Sequence, residues 1–137
     1  MALEHEALTE RIIGAAIEVH RRLGPGFLES IYEKALVIEL RKRSMDVVAQ
    51  VEIPVTYDGI EIGLHRLDLL VEKTIVVELK AVKNLEDVHF AVVRSYLKAL
   101  GQKHGLLLNF AKPTLEIRRV IFEDSKEVRK SGYGEQR

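Results

Sequence analysis

The sequence contains no cysteine. That excludes disulfides, zinc–thiolate sites and thiol nucleophiles, and it fits a reducing, cytoplasmic setting. Charge of one sign is also lacking: 21 Lys and Arg are balanced by 21 Asp and Glu, for a formal net charge of zero. This argues against a broad non-specific nucleic-acid coat and leaves room for a local basic patch. No segment approaches the ~18 consecutive apolar residues of a membrane-spanning helix. The acidic start, Met1-Ala2-Leu3-Glu4-His5-Glu6, lacks the basic-then-apolar layout of a signal peptide. Several catalytic signatures are missing as well. Gly24-Pro25-Gly26 lacks the Gly-Lys-Ser/Thr end of a phosphate-binding loop, and no Gly-x-Ser-x-Gly elbow or His-Glu-x-x-His helix is present. The five histidines are scattered, which argues against a zinc centre.

What is present is a globular composition, 47% apolar and 31% charged over 137 residues. This suits one domain with a sizeable core, expected over residues 1–123 and followed by a polar, mobile tail over 124–137. Leu8, Ile12, Ala15, Ala16, Val19 and Leu23 recur at helical steps and predict a helix from Leu8 to Leu23, with Thr9 as an early cap. Gly24-Pro25-Gly26 ends it. A second helix is expected from Leu28 to Arg43, where Arg41-Lys42-Arg43 complements the negative pole of the helix dipole. From Val47 the apolar period becomes two. Strands are predicted over 47–57, 60–71 and 74–82, with Asp58-Gly59 as a hairpin turn, Pro54 at an edge or bulge, and Gly63 at a bend. Asn84 is expected to cap a third helix over 85–100, stopped by Gly101. The apolar run Gly105–Phe110 reads as a strand buried on both faces, and 115–122 as the last strand. The order α-α-β-β-β-α-β-β predicts an α/β fold, a mixed sheet flanked by helices.

The chemistry concentrates between Arg66 and Lys83. A hairpin turning at Glu72-Lys73-Thr74 places Asp68 opposite Glu78. Glu78 and Lys80 are two apart and share one strand face. Opposed like charges on a sheet are destabilising, and a divalent cation between them reverses that sign. Carboxylate oxygens suit Mg²⁺ or Mn²⁺. The residues alone also admit a plainer arrangement, in which Leu67, Leu69 and Val71 face the core while Asp68, Glu78 and Lys80 form a solvated ion cluster.

The segment Gly26-Phe27-Leu28-Glu29-Ser30-Ile31-Tyr32 resembles the motif of the GxxExxY family, a branch of the PD-(D/E)XK nuclease-like superfamily with a restriction-endonuclease-like core. Arg66-Leu67-Asp68, Val77-Glu78-Leu79-Lys80, Tyr96-Leu97-Lys98 and Gly105–Phe110 extend the likeness over residues 8–120. The resemblance implies a Mg²⁺- or Mn²⁺-dependent nuclease acting on DNA or RNA. Asp68, Glu78 and the carbonyl of Leu79 would hold the metal, and Lys80 would activate water or hold phosphate. Glu29 would join the site from its helix, within the motif trio Gly26, Glu29 and Tyr32. Arg66, Lys83, Arg94, Lys98 and Lys103 would form a basic rim.

One position departs from that pattern. Family members often carry glutamine where Val92 stands, and valine cannot hydrogen-bond to substrate. The departure shifts the role to His89, Arg94 or Tyr96. It also opens a second expectation, a non-catalytic module of the same fold that works through a homo-oligomeric interface.

Overall fold

The structure, a computed structural model, describes residues 5–123; the expected tail over 124–137 lies outside them. The chain runs α1 (Glu6–Leu23), α2 (Glu29–Lys42), β1 (Val47–Tyr57), β2 (Ile60–Val71), β3 (Ile75–Lys80), α3 (Asp87–Leu100), β4 (His104–Asn109) and β5 (Glu116–Ile121). The strands form one sheet in the order β1-β2-β3-β4-β5. Only β3 and β4 are parallel, because only they are joined by a crossover helix, α3. The α/β expectation of a mixed sheet flanked by helices holds.

Two apolar layers sandwich the sheet. On one side Ile12, Ala15, Ala16 and Val19 of α1 and Tyr32, Leu36 and Leu40 of α2 pack on Leu69, Val71, Ile75, Val77, Leu79, Leu106 and Leu108. On the other side Val93, Tyr96 and Leu97 of α3 cover Leu67, Val76, Leu107 and Val120. Burying each such aliphatic side chain contributes roughly 1.5–3 kcal/mol. The buried run over Gly105–Leu108 is thus apolar on both faces because helices cover both.

The turns follow their residues. Asp58 and Gly59 both take positive φ, as a two-residue primed hairpin turn needs. Glu72 and Lys73 do the same at the second hairpin without a glycine, and the turn is held from outside: the Glu72 carboxylate accepts the Asp46 N–H at 2.6 Å. A register shift falls between Val55 and Thr56, opposite Gly63 and Glu61, so the irregularity expected at Gly63 is a bulge that leaves Ile62 unpaired.

Two expected caps fall elsewhere. Thr9 lies inside α1, where its hydroxyl donates to the His5 carbonyl; His5, in a left-handed conformation, is the cap. Helix α3 starts later than Asn84 predicts. Glu86 is its cap, and His89 completes a capping box by accepting the Glu86 N–H on Nδ1 at 2.9 Å.

At Gly105 helix and sheet come closest: a Cβ there would lie 2.9 Å from a Val93 methyl and 3.3 Å from the Val76 carbonyl oxygen. Gly63 has open space around it. Gly105→Ala is expected to cost about 1–3 kcal/mol through overpacking, whereas Gly63→Ala stays within about 0.5 kcal/mol. Urea unfolding of the two variants checks this.

Candidate active site

The site forms where the sheet forks. Strands β1 and β2 pair over nearly their whole length, but β2 and β3 share only Leu69↔Val77, Leu70↔Val76 and Val71↔Ile75. Past Leu69 and Val77, β2 stays with β1 while β3 stays with β4 as far as Lys80↔Asn109. The next residues on the separating edges are Asp68 and Glu78, the register expected from the hairpin.

Separation of the strands would orphan backbone donors, and the two carboxylates take them. The Asp68 N–H donates to Glu78 Oε1 at 3.2 Å, and the Leu79 N–H donates to Asp68 Oδ2 at 2.9 Å. Each side chain thus closes onto the other's strand, and neither second carboxylate oxygen has a protein hydrogen bond among the described residues. The Leu79 carbonyl lies on the same strand edge as its N–H, toward Asp68.

Glu78 is only 6% exposed, so the plainer arrangement, a solvated ion cluster, does not hold for it. Burial, reinforced by the Asp68 charge, pushes its carboxyl up to about 8. Burial likewise pushes Asp68 up to about 6, opposed by its bond from Leu79 and reinforced by the charges of Glu33 and Glu29. Lys80 favours the ionised form of both but forms no ion pair with either among the described residues. By strand alternation Glu78 and Lys80 point with Val76 toward the α3 layer.

Glu29 reaches this end of the sheet from the first turn of α2. Its carboxylate accepts the Ala81 N–H at 3.2 Å, just past Lys80. Its motif partners serve the scaffold. Tyr32 is buried, stacks on Phe110 at 4.5 Å, donates to the Gly24 carbonyl and accepts the Phe27 N–H. Gly26, at φ 115°, makes the turn that the ring clasps.

Tyr96 lies beside the carboxylates, with its hydroxyl donating to the Arg66 carbonyl at 3.0 Å. Burial, with the charges of Glu78 and Asp68, pushes the phenol up to about 12. It ties α3 to the strand residue two before Asp68. Val92 packs into the α3 layer. His89 spends its Nδ1 on the helix cap.

Of the expected rim, Arg66 pairs with Glu52 at 3.4 Å in an exposed ion pair, and Lys83, Lys98 and Lys103 are exposed. Arg94 is half-buried on α3. Two residues went unnoticed in the sequence. Asn109, fully buried, clamps the chain after Lys80 by donating to the Val82 carbonyl and accepting the Val82 N–H. Gln50 donates to Glu33 at 2.8 Å. Neither carries a sequence signal beyond being an amide in or next to an apolar strand.

The donor set suits a hard divalent cation: two carboxylates, one of them desolvated, beside a backbone carbonyl. Among the described residues no group of three or more His, Asp or Glu is arranged to hold a metal. A cation here would complete its shell with water or phosphate oxygens, as Mg²⁺ commonly does.

The raised carboxyls give a signed prediction for the metal-free protein. Between about 4.5 and about 8 the folded state holds a proton on Glu78 that the unfolded chain has released, so stability falls as pH rises across that window and the full penalty stands above it. Asp68 adds a penalty of the same sign between its ordinary value and about 6. Glu78→Gln, which cannot ionise, should melt higher than wild type at pH 9 and no higher at pH 4.5. Thermal melts in chelator at the two pH values check this.

A family model for the PD-(D/E)XK nuclease superfamily matches residues 6–120. No curated protein matches the chain. Among solved structures, the crystal structure of SSO0001 is similar, with a TM-score of 0.56 and 16% identity over 90% of this chain. This chain spans 62% of the length of that one, and at this identity the likeness concerns the fold. With its forked mixed sheet and a family match over most of its length, the chain belongs to the PD-(D/E)XK nuclease superfamily.

Proposed function

We propose that this protein is a divalent-cation-dependent nuclease of the GxxExxY branch, hydrolysing phosphodiester bonds in nucleic acid. The observation that carries this reading is the fork, where Asp68 and Glu78 each spend one oxygen on backbone and leave the other to a ligand. Asp68, Glu78 and the Leu79 carbonyl would hold Mg²⁺ or Mn²⁺. When bound, the ion supplies charge stabilisation at the phosphate and acidifies water.

The chain's own residues account for the rest. The Lys80 ammonium, on the Glu78 face of β3, attracts the scissile phosphate or orients the attacking water. Glu29 fixes the turn after Lys80 through Ala81 and so sets where that ammonium points. Asn109 holds the same segment from β4. Arg66, Lys83, Arg94 and Lys98 supply backbone contacts to nucleic acid, and the exposed Arg66–Glu52 pair is weak enough to yield to a phosphate. Among the described residues no helix is long and apolar enough to cross a membrane. A cytoplasmic enzyme without thiols is consistent with this assignment.

One observation favours the second reading, a module that assembles rather than cleaves. The far end of the β1–β2 hairpin exposes Tyr57, Ile60, Ile62 and Leu64. Such a patch suits a homo-oligomeric contact.

Incubation with single- and double-stranded DNA and RNA in Mg²⁺, Mn²⁺ or chelator separates the two readings. Cleavage is expected with metal only, falling at least about a hundredfold in Lys80→Met and Asp68→Asn, as loss of a charge-stabilising group commonly does. Absence of cleavage on all four substrates, together with dimers in light scattering that Ile62→Glu dissociates, would favour the assembly module.

A further inference from the structure

We infer that Gln50 is a positioning residue of the candidate site, holding Glu33 at the strand pair that carries Asp68; the inference rests on reading Asp68 and Glu78 as cation ligands. Three observations converge on it. First, Gln50 adopts φ 57° in the middle of β1. A left-handed conformation is uncommon for a non-glycine residue, and within a strand it interrupts pairing. The β1–β2 register passes from Ala49↔Leu69 to Val51↔Leu67, and the position skipped is Gln50 opposite Asp68.

Second, the interruption turns both strands over. Val47 and Leu69 pack in the α1–α2 layer, whereas Val51, Ile53 and Leu67 pack in the α3 layer, although strand alternation would keep each series on one face. The backbone thus rotates at the pair that carries Asp68, and brings the carboxylate to the fork rather than into either apolar layer.

Third, the Gln50 side chain has a destination. Its Nε2 donates to Glu33 Oε1 at 2.8 Å, from β1 to the second turn of α2. A carboxylate can only accept this bond, so the amide orientation follows from its partner. Gln50 stands opposite Asp68 in the β1–β2 pair, and the Glu33 carboxylate lies 2.8 Å from its amide. Gln50 therefore keeps a further negative charge beside the pair without neutralising it, as a lysine or arginine at the same place would. The extra field favours a divalent cation at Asp68 and Glu78, and Glu33 can accept a hydrogen bond from a water on that cation.

The test is Mn²⁺ calorimetry on the full chain, with thermal melts alongside. Gln50→Gly removes the amide while glycine takes the left-handed conformation freely, so it separates side chain from backbone. Gln50→Gly and Glu33→Gln are each expected to weaken Mn²⁺ binding by about tenfold or more, the usual effect of losing an outer hydrogen-bond partner. The double variant should bind no more weakly than the weaker single one, because the two act as one unit. Wild-type affinity in Gln50→Gly, or losses that multiply in the double variant, would overturn the inference while leaving the cation reading intact, provided Asp68→Asn abolishes binding. No Mn²⁺ binding by the wild type would overturn both.

Discussion

The reciprocal closure of Asp68 and Glu78 onto each other's strands is the constraint on which the rest of the structure depends. Where β2 and β3 part, two backbone N–H groups lose the partners that a continuing ladder would supply, and the carboxylates replace them. An orphaned buried donor is costly, so the fork persists only because acidic side chains stand at its two edges. Those side chains are then held out of bulk water beside each other, and both resist ionisation. A single arrangement thus gives the sheet its branch and leaves it with a carboxylate pair that is unfavourable until something positive joins it. The stability lost there is offset by the two apolar layers, which converge on β3 and β4.

The surrounding scaffold serves to fix what the fork presents. Tyr32 clasps the loop ahead of α2, which lets Glu29 reach Ala81 from the helix's first turn. Tyr96 ties α3 to Arg66, and Asn109 ties β4 to Val82. Lys80 and Asp68 are therefore each flanked by a buried polar side chain bound to backbone within two residues. Rigid support of this kind lets a few charged groups keep their relative positions without pairing with one another. In the GxxExxY segment the labour divides. Glycine and tyrosine build the turn, and only the glutamate reaches toward the carboxylate pair.

Much of this was legible in the sequence because it depends on local periodicity. The change to a two-residue period at Val47, the Asp58-Gly59 turn and the apolar run after Gly105 placed five strands and their order. The hairpin at Glu72-Lys73-Thr74 put Asp68 beside Glu78 by counting alone. What stayed hidden depends on contacts distant in sequence or on backbone that departs from its pattern. Nothing around Gln50 announces a left-handed residue, since Val-Val-Ala-Gln-Val-Glu-Ile reads as an ordinary half-buried strand, and its partner Glu33 is a helix away. Asn84 read as a cap because the sequence does not reveal that α3 begins only at Asp87, and the same late start gives His89 its place in the capping box. The bond from the Tyr96 hydroxyl to the Arg66 carbonyl was equally hidden, since only the folded chain brings the two near.

The proposal under most direct test is that the fork at Asp68 and Glu78 holds a divalent cation. Anomalous diffraction from crystals soaked in Mn²⁺ tests it most directly. A manganese peak is expected within coordination distance of both carboxylates, on the oxygens that do not accept the Asp68 and Leu79 N–H groups. Manganese found only elsewhere on the protein, with both carboxylates in place, would contradict it.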